Sequence, residues 1–585
     1  MKTTPNFIDY EDLYMKTPRI LLLISLICIA DGCLFAQPFP PADYPQNYFR
    51  NPLGIPIQLA ANFGELRNNH FHMGLDIRTN QRENLPVYAS AEGYISRIKI
   101  EQYGFGRAIY ITHPNGYTTL YAHLNNFYPA LENYIKILQY QQEKWEQDVF
   151  IKPNLFAVTK GQIIANSGNT GGSAGPHLHF EIRETYTENN LNPLLFGLPV
   201  TDNIPPFFRR LYLYDRQQST YNQTPVTIPI KKAGSGFTSV SNVVVTSSPV
   251  VSFGINAEDK ANNSFNFGIY RAALYVDDVL QNAFQLNNFS YAYTRYINAS
   301  VDYSSKATSG ARIQHLSRLP GNQIGIFSPS ANDGNITLTD AQVHNVRIVL
   351  EDVSLNTTTL KFKVRYNPTN SNRLPVKNAN ILMPGKQNKV SYPNMEADFT
   401  SSTFYDTVFF EHTSVASAGV LSASSIENLH NYTVPVHDSF TVRLKARADL
   451  LPALQSKVVM QMVSNRKKEA VKGIWLNNWM EAKFRDLGSV QLIIDTIPPT
   501  IQPIGWSSGS NLRGKPSITI LAKDDISELS FFRAELDGKW LLFSRKSDYF
   551  IHRFDEKTQV GPHVLKIVIA DEAGNFTERR FSINR

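Results

Sequence analysis

Short stretches of alternating apolar and polar residues, separated by turn residues, run through most of the chain. Leu85–Ala89 and Gly93–Ile100 alternate with period two, as half-buried strands do. Ala108–Thr112 leads through Pro114-Asn115-Gly116 into Tyr117–His123, a pattern that predicts a hairpin. One segment keeps a helical period instead. From Pro129 to Gln147, the residues Leu131, Tyr134, Ile135, Leu138 and Trp145 fall on one stripe, and Pro129 suits a helix start. This predicts a helical insertion in an otherwise β domain. Beyond about residue 200 the pattern is again β-rich, with many Ser, Thr and Asn residues, and it repeats. His344-Asn345-Val346-Arg347-Ile348-Val349, followed by Asp352 and Asn356, recurs 219 positions later as His563-Val564-Leu565-Lys566-Ile567-Val568, Asp571 and Asn575. Ile204-Pro205-Pro206 and Ile497-Pro498-Pro499 each follow an aspartate, Asp202 and Asp495, at the entries to these regions. The expected fold is mainly β. A first domain spans 45–200, two immunoglobulin-like sandwiches span 201–368 and 495–585, and a different sandwich spans 373–494. His344 and His563 read as structural residues at equivalent strand starts.

A chain of 585 residues holds about three to five domains at ordinary domain sizes. With 42% hydrophobic and 18% charged residues, each domain can bury a core, and disorder as the dominant state is excluded. Lys+Arg exceed Asp+Glu by 57 to 50, and no dense basic block exists, so nucleic acid is not an expected partner. Both cysteines, Cys28 and Cys33, lie in or just after the apolar stretch Ile20–Ala30, which follows Lys16 and Arg19. At 11 residues that stretch is too short to span a membrane and suits a signal-peptide core. Residues 1–36 therefore read as an export signal with cleavage after Ala36 and a possible true start at Met15. Lipid attachment at Cys33 is the runner-up. The mature chain would then lack cysteine, leaving His, Asp, Glu, Ser and Lys as its chemical residues. No later apolar run approaches 20 residues, so the protein is expected to be exported, periplasmic or envelope-associated, and not membrane-spanning.

Six of the 13 histidines, namely His70, His72, His113, His123, His177 and His179, fall within one stretch of 110 residues, which marks where chemistry should be sought. His72 and Asp76 lie four apart, but Asn68-Asn69 and Gly74 argue against a helix. A bent strand entry at Gly74 would bring both side chains to one point. His177 and His179 face the same side of a strand, roughly 6.5–7 Å apart, with Leu178 and Phe180 on the other face. His123 closes an apolar strand. Catalytic zinc often takes two histidines and one carboxylate and leaves a position open. His72, Asp76 and His179 supply that set, with His123 and His177 left as proton-transfer groups. Glu181 is an alternative carboxylate, though on the same strand as His179 it would crowd the ion. The glycine-rich turn Gly168–Gly175 lacks the Gly-Lys-Ser/Thr ending of a phosphate cradle, and its glycines are read as shaping the turn before His177.

Over residues 50–196 the sequence resembles the lysostaphin/LytM-type zinc metallopeptidases. The resemblance rests on His72-x-Gly74-x-Asp76, Pro86-Val87-Tyr88-Ala89, Tyr121-Ala122-His123-Leu124, Gly168-Asn169-Thr170-Gly171 and Gly175-Pro176-His177-Leu178-His179-Phe180-Glu181. It implies an antiparallel β peptidase domain with one zinc ion held by His72, Asp76 and His179. It also implies that His123 and His177 are catalytic and that the substrate is the stem-peptide cross-link of bacterial peptidoglycan. Which histidine is the base stays open. The insertion after His123 departs from the pattern. Its helix either packs on the domain's flank, borders the cleft or docks an envelope partner, as the C-terminal sandwiches could. Two other readings compete: a non-catalytic wall-binding or hydrolase-activating protein, and an adhesin built from sandwich modules. The first would be expected to have lost one of the five polar residues, and the second leaves them unexplained.

Overall fold

Alternation along the first domain produces strands whose inner residues close one core. In the computed structural model, which describes residues 39–40, 43–262, 264–368 and 380–585, an antiparallel sheet runs in the order Leu59–Ala61, Leu75–Arg78, His177–Glu184, Tyr117–Ala122, Arg107–Thr112, Gly93–Ile100, Gln147–Phe150. A smaller sheet of Pro86–Tyr88, Ile163–Ser167 and Leu124–Phe127 packs against it. Leu75, Ile77, Ile109, Leu178, Phe180 and Ile182 point into the shared core and are fully buried. The expected export signal, with Cys28 and Cys33, lies outside the described residues. Among the described residues no helix is long and apolar enough to cross a membrane.

The insertion helix runs over Pro129–Gln142 and is shorter than its apolar stripe suggests. Glu143 takes the left-handed conformation and its N–H caps Gln139 O, which ends the helix. Gln147–Phe150 then extends as a strand beside Gly93–Ile100, so Trp145 is not helical. Leu131, Ile135 and Gln139 form the buried face.

Four sheets and a pair of short strands make up the region from 201 to 494, and two more sheets make up 495–585. The first of these cores is continuous with the preceding domain. Phe63, Phe71 and Met73 pack among Leu274, Phe284 and Phe289, and Asn190–Leu191 pairs with Asn288–Phe289. His344 and His563 do sit at equivalent strand starts. Each Nδ1 donates to an aspartate from a neighbouring turn, Asp277 at 2.7 Å and Asp537 at 2.6 Å.

The last module returns to the first domain. Lys136 of the helix pairs with Asp555 and Glu556 at 2.8 Å, and Glu143 pairs with Arg533 at 2.6 Å. Tyr140 packs edge-on against Trp540. One flank of the helix, at Lys136, Tyr140 and Glu143, thus meets the chain's own C-terminal module, while Asn133, Ile137 and Gln141 stay exposed.

Candidate functional site

Strand register brings the candidate residues together. His179 lies directly opposite Asp76 on one neighbour and Ala122 on the other, so His123 emerges one residue past that rung. His72 precedes the strand Leu75–Arg78 at a bend. A Cβ on Gly74 would lie 2.4 Å from Phe180 O, so only glycine allows this approach. His177 and His179, two apart, share the face toward the cleft, while Leu178 and Phe180 enter the core.

The result is a triangle of ligand atoms. His72 Nε2, Asp76 Oδ1 and His179 Nδ1 are separated by 2.9, 2.9 and 3.0 Å. All three residues are buried. The outer nitrogen of each ring is committed: His72 Nδ1 donates to Asn62 O at 2.7 Å, and His179 Nε2 donates to Glu181 Oε1 at 2.9 Å. With those protons placed outward, the inner positions are two lone pairs and an anionic oxygen, three acceptors with no donor between them. Such a cluster demands a cation. A tetrahedral zinc with bonds of about 2.0 Å sets its ligand atoms about 3.3 Å apart, so the triangle fits to within about 0.4 Å. Without an ion the triangle is held by a proton instead: burial disfavours charge on His179, yet its hydrogen bonds to Asp76 and Glu181 hold its pKa above the ordinary histidine value, so a metal ion and that proton compete for the same lone pair. Burial likewise opposes the Asp76 carboxylate, but the charge of His72 and hydrogen bonds from His177 and His179 hold it well below the usual range.

His123 and His177 flank this triangle with their ring centroids 4.7 Å apart. His123 Nδ1 donates to Thr170 O and His177 Nδ1 to Gly175 O, both at 2.8 Å. In the neutral ring each Nε2 is left as the acceptor; His177 Nε2 lies 3.4 Å from Asp76 Oδ1, to which it donates only when that ring is protonated. Burial, with the charges of His177 and His179, pushes the His123 pKa down to about 3. The loop that holds these two acceptors is locked to its neighbour, because Gly171 and Gly106 stack backbone on backbone and a Cβ on Gly171 would meet Gly106 N at 2.2 Å.

The cluster opens into a cleft of about 1000 Å³. Its walls carry Arg67, Arg183 and Tyr291, which the sequence reading did not single out. Arg67 donates to Asp76 Oδ2 at 2.8 Å. Glu181 does not crowd the inner triangle; it faces the outer nitrogen of His179 and is held in turn by Arg183, Asn190 and Tyr291. The alternation His179-x-Glu181-x-Arg183 could have revealed that line. Tyr291 comes from the following module, and nothing in its local sequence marks it. His113, counted in the histidine cluster, is instead a structural residue bonded to Glu92 O and Thr119 Oγ1.

Residues 70–139 and 151–193 match the model of peptidase family M23, and residues 379–495 match that of a Zu5-like domain. The unmatched residues 140–150 are the last helical residues, the link after them and the edge strand Gln147–Phe150. The DD-carboxypeptidase/endopeptidase Mpg of Neisseria meningitidis serogroup B is 35% identical over 131 residues, 22% of this chain and 24% of that protein. The peptidoglycan DD-endopeptidase ShyA of Vibrio cholerae is 31% identical over 120 residues, 20% of this chain and 22% of that protein. The chain thus spans about a quarter of the length of the relatives it matches. The catalytic domain of lysostaphin from Staphylococcus simulans is 24% identical, with 23% of this chain covering 88% of it at a TM-score of 0.18. The two matched stretches contain His72, Asp76, His123, His177 and His179, and the chain accordingly carries a peptidase family M23 domain.

Proposed function

We propose that the chain is an exported zinc endopeptidase that hydrolyses peptide cross-links of peptidoglycan, with His72, Asp76 and His179 as the ligands of one zinc ion. The observation that carries this reading is the inward triangle of two imidazole lone pairs and one carboxylate oxygen, with two further imidazole acceptors beside it. Zinc bound there supplies Lewis acidity to an attacking water and to the scissile carbonyl. The remaining work belongs to His123 and His177. Both are held as Nε2 acceptors, so one takes the proton of the water, and a protonated ring then donates to the developing oxyanion. Burial keeps the His123 ring neutral, with Nε2 as its open acceptor. The substrate class follows from the relatives named for peptidoglycan endopeptidase activity. Export is supported by the apolar stretch at Ile20–Ala30 behind Lys16 and Arg19. We read 201–368 and 495–585 as immunoglobulin-like modules, supported by the facing sheets within each and by the His344 and His563 repeat.

Zinc content and release of new amino termini from purified sacculi test the reading. His179→Ala should lose metal and activity together. His123→Ala and His177→Ala should keep zinc and lose about 10²–10⁴-fold in turnover. Stoichiometric zinc in His179→Ala removes the ligand assignment, and near-normal turnover in His123→Ala or His177→Ala removes that residue from the chemistry.

A further inference from the structure

Two sets of three aspartates lie outside the histidine cleft, one in each of the repeated modules. Asp202, Asp259 and Asp352 present carboxylate oxygens within 4.8 Å of one another, and so do Asp495, Asp524 and Asp571. The two sets occupy the same places. Asp202 and Asp495 are the aspartates of the Asp-x-Ile-Pro-Pro entries. Asp259 follows the strand Val250–Glu258 as Asp524 follows Ser517–Lys523. Asp352 follows Val343–Glu351, and Asp571 ends Pro562–Asp571. Each triad therefore ties the entry segment of a module to the ends of two of its strands. The supporting asparagines correspond as well. Asn356 donates to Asp352 Oδ2 at 2.8 Å and to Asp202 O at 3.3 Å, while Asn575 donates to Asp571 Oδ2 at 2.9 Å and to Asp495 O at 3.0 Å.

Surface acidic clusters are common and mean little, but in these triads two of the three aspartates are buried and the third, Asp202 or Asp524, is half-buried. Asp259 is 4% exposed and Asp495 is 0% exposed. Asp259 Oδ1 and Asp495 Oδ2 are buried with no hydrogen-bond partner among the described residues. A buried carboxylate oxygen with neither donor nor cation is costly and rare. The charges bearing on Asp259 are those of Asp352 and Asp202, which repel it. Asp495 faces Asp524 and Asp571, with Lys457 and Lys472 as the opposing charges. A cavity of about 100 Å³ lies beside the first triad, lined by both Asp202 and Asp259.

We propose that each triad binds one divalent cation, and that the cation is calcium. The donor set is oxygen only, which suits hard cations and excludes those that prefer imidazole or thiolate. Calcium takes irregular shells of six to eight oxygens at about 2.3–2.6 Å, so oxygens as far apart as 4.8 Å can share one ion. Magnesium demands a tighter octahedron and keeps most of its water. The bound ion would neutralise the two orphaned oxygens and lock each proline-stiffened entry to its module.

Equilibrium dialysis of the full zinc-loaded chain against labelled calcium tests this. The expected result is two calcium ions per chain with half-saturation at or below ~1 mM, unaffected by equimolar magnesium. Asp259→Asn should retain one ion, Asp524→Asn should retain the other, and the double variant should retain none. Calcium should raise the midpoint of thermal unfolding of the wild type and leave the double variant unmoved. No saturable binding by the wild type overturns the proposal, and so do two ions retained by the double variant. A single ion in the wild type overturns the equivalence of the triads, and displacement by equimolar magnesium overturns the choice of calcium. The wild-type stoichiometry decides even if a variant fails to fold.

Discussion

His123 has a positive φ of 59°, in a region that residues with a Cβ rarely adopt. It does so where the strand Tyr117–Ala122 leaves the sheet, and the turn swings its ring over to His177. Local strain here goes with function. Glu181 acts more quietly, as an orienting group that fixes the tautomer of His179. Partners of this kind typically contribute 10–100-fold to metal affinity. Glu181→Gln should therefore weaken zinc binding by about that factor in a chelator competition, with the fold intact by circular dichroism. Unchanged affinity would reduce Glu181 to a packing role. His315 supplies a pH test away from the site. Burial, the largest cause, pushes its pKa down to about 4. The neutral ring is favoured in the folded state, so its contribution to stability is full above about 6.5 and is lost as pH falls toward 4. By linkage the loss grows as pH falls through that window. His315→Leu should flatten denaturant-measured stability over that window, and an unchanged slope would contradict it. The grouping of His72, Asp76, His123, His177 and His179 was legible in the sequence because their types and spacings carry chemistry by themselves. Asn62 was not, because it contributes only a backbone carbonyl. Tyr291 was not, because it lies 110 positions beyond Glu181, in a turn just after the strand that pairs with Asn190–Leu191.

Elements were legible where one period dominates. Gly93–Ile100 and the hairpin through Pro114-Asn115-Gly116 follow their alternation, and the helix begins at Pro129 as its pattern demands. Its end was misread because Trp145 continues the apolar stripe by coincidence: it packs on the same core from the connection after Glu143. The helix holds its place through two unlike faces. Leu131 and Ile135 are fully buried, whereas Lys136 and Glu143 make ion pairs at the rim. Leu131→Ala should cost about 2–5 kcal/mol through lost burial and the cavity left behind. Lys136→Ala should cost less than about 1 kcal/mol, as partly exposed pairs do. Chemical denaturation of the two variants compares them directly, and a larger loss for Lys136→Ala would mean that the charged face, not the core face, holds the helix.

At the scale of the whole molecule, the hairpin of the last module bears on the catalytic loop. Lys546 Nζ donates to Asn169 O at 3.0 Å, and Gln102 Nε2 donates to Ser547 O at 3.2 Å. Asn169 is the neighbour of Thr170, whose carbonyl orients His123. The two modules entered through Ile-Pro-Pro were visible in the sequence as a repeat, but this return contact was not, because it joins residues 377 positions apart. It makes the last module a brace for the loop, anchored on the helix by Arg533 and Glu143. Arg533→Glu combined with Lys546→Ala should loosen that brace without touching the proposed zinc ligands. The expected outcome is unchanged zinc content and a severalfold fall in turnover on a small soluble cross-link peptide, because a slight misplacement of a proton-transfer group is costly. Sacculi separate the two ways the module can act. A parallel fall on both substrates assigns its effect to the orientation of His123. A fall on sacculi alone instead assigns it to contact with the polymer, and turnover unchanged on both would leave the contact at Asn169 without a role in catalysis.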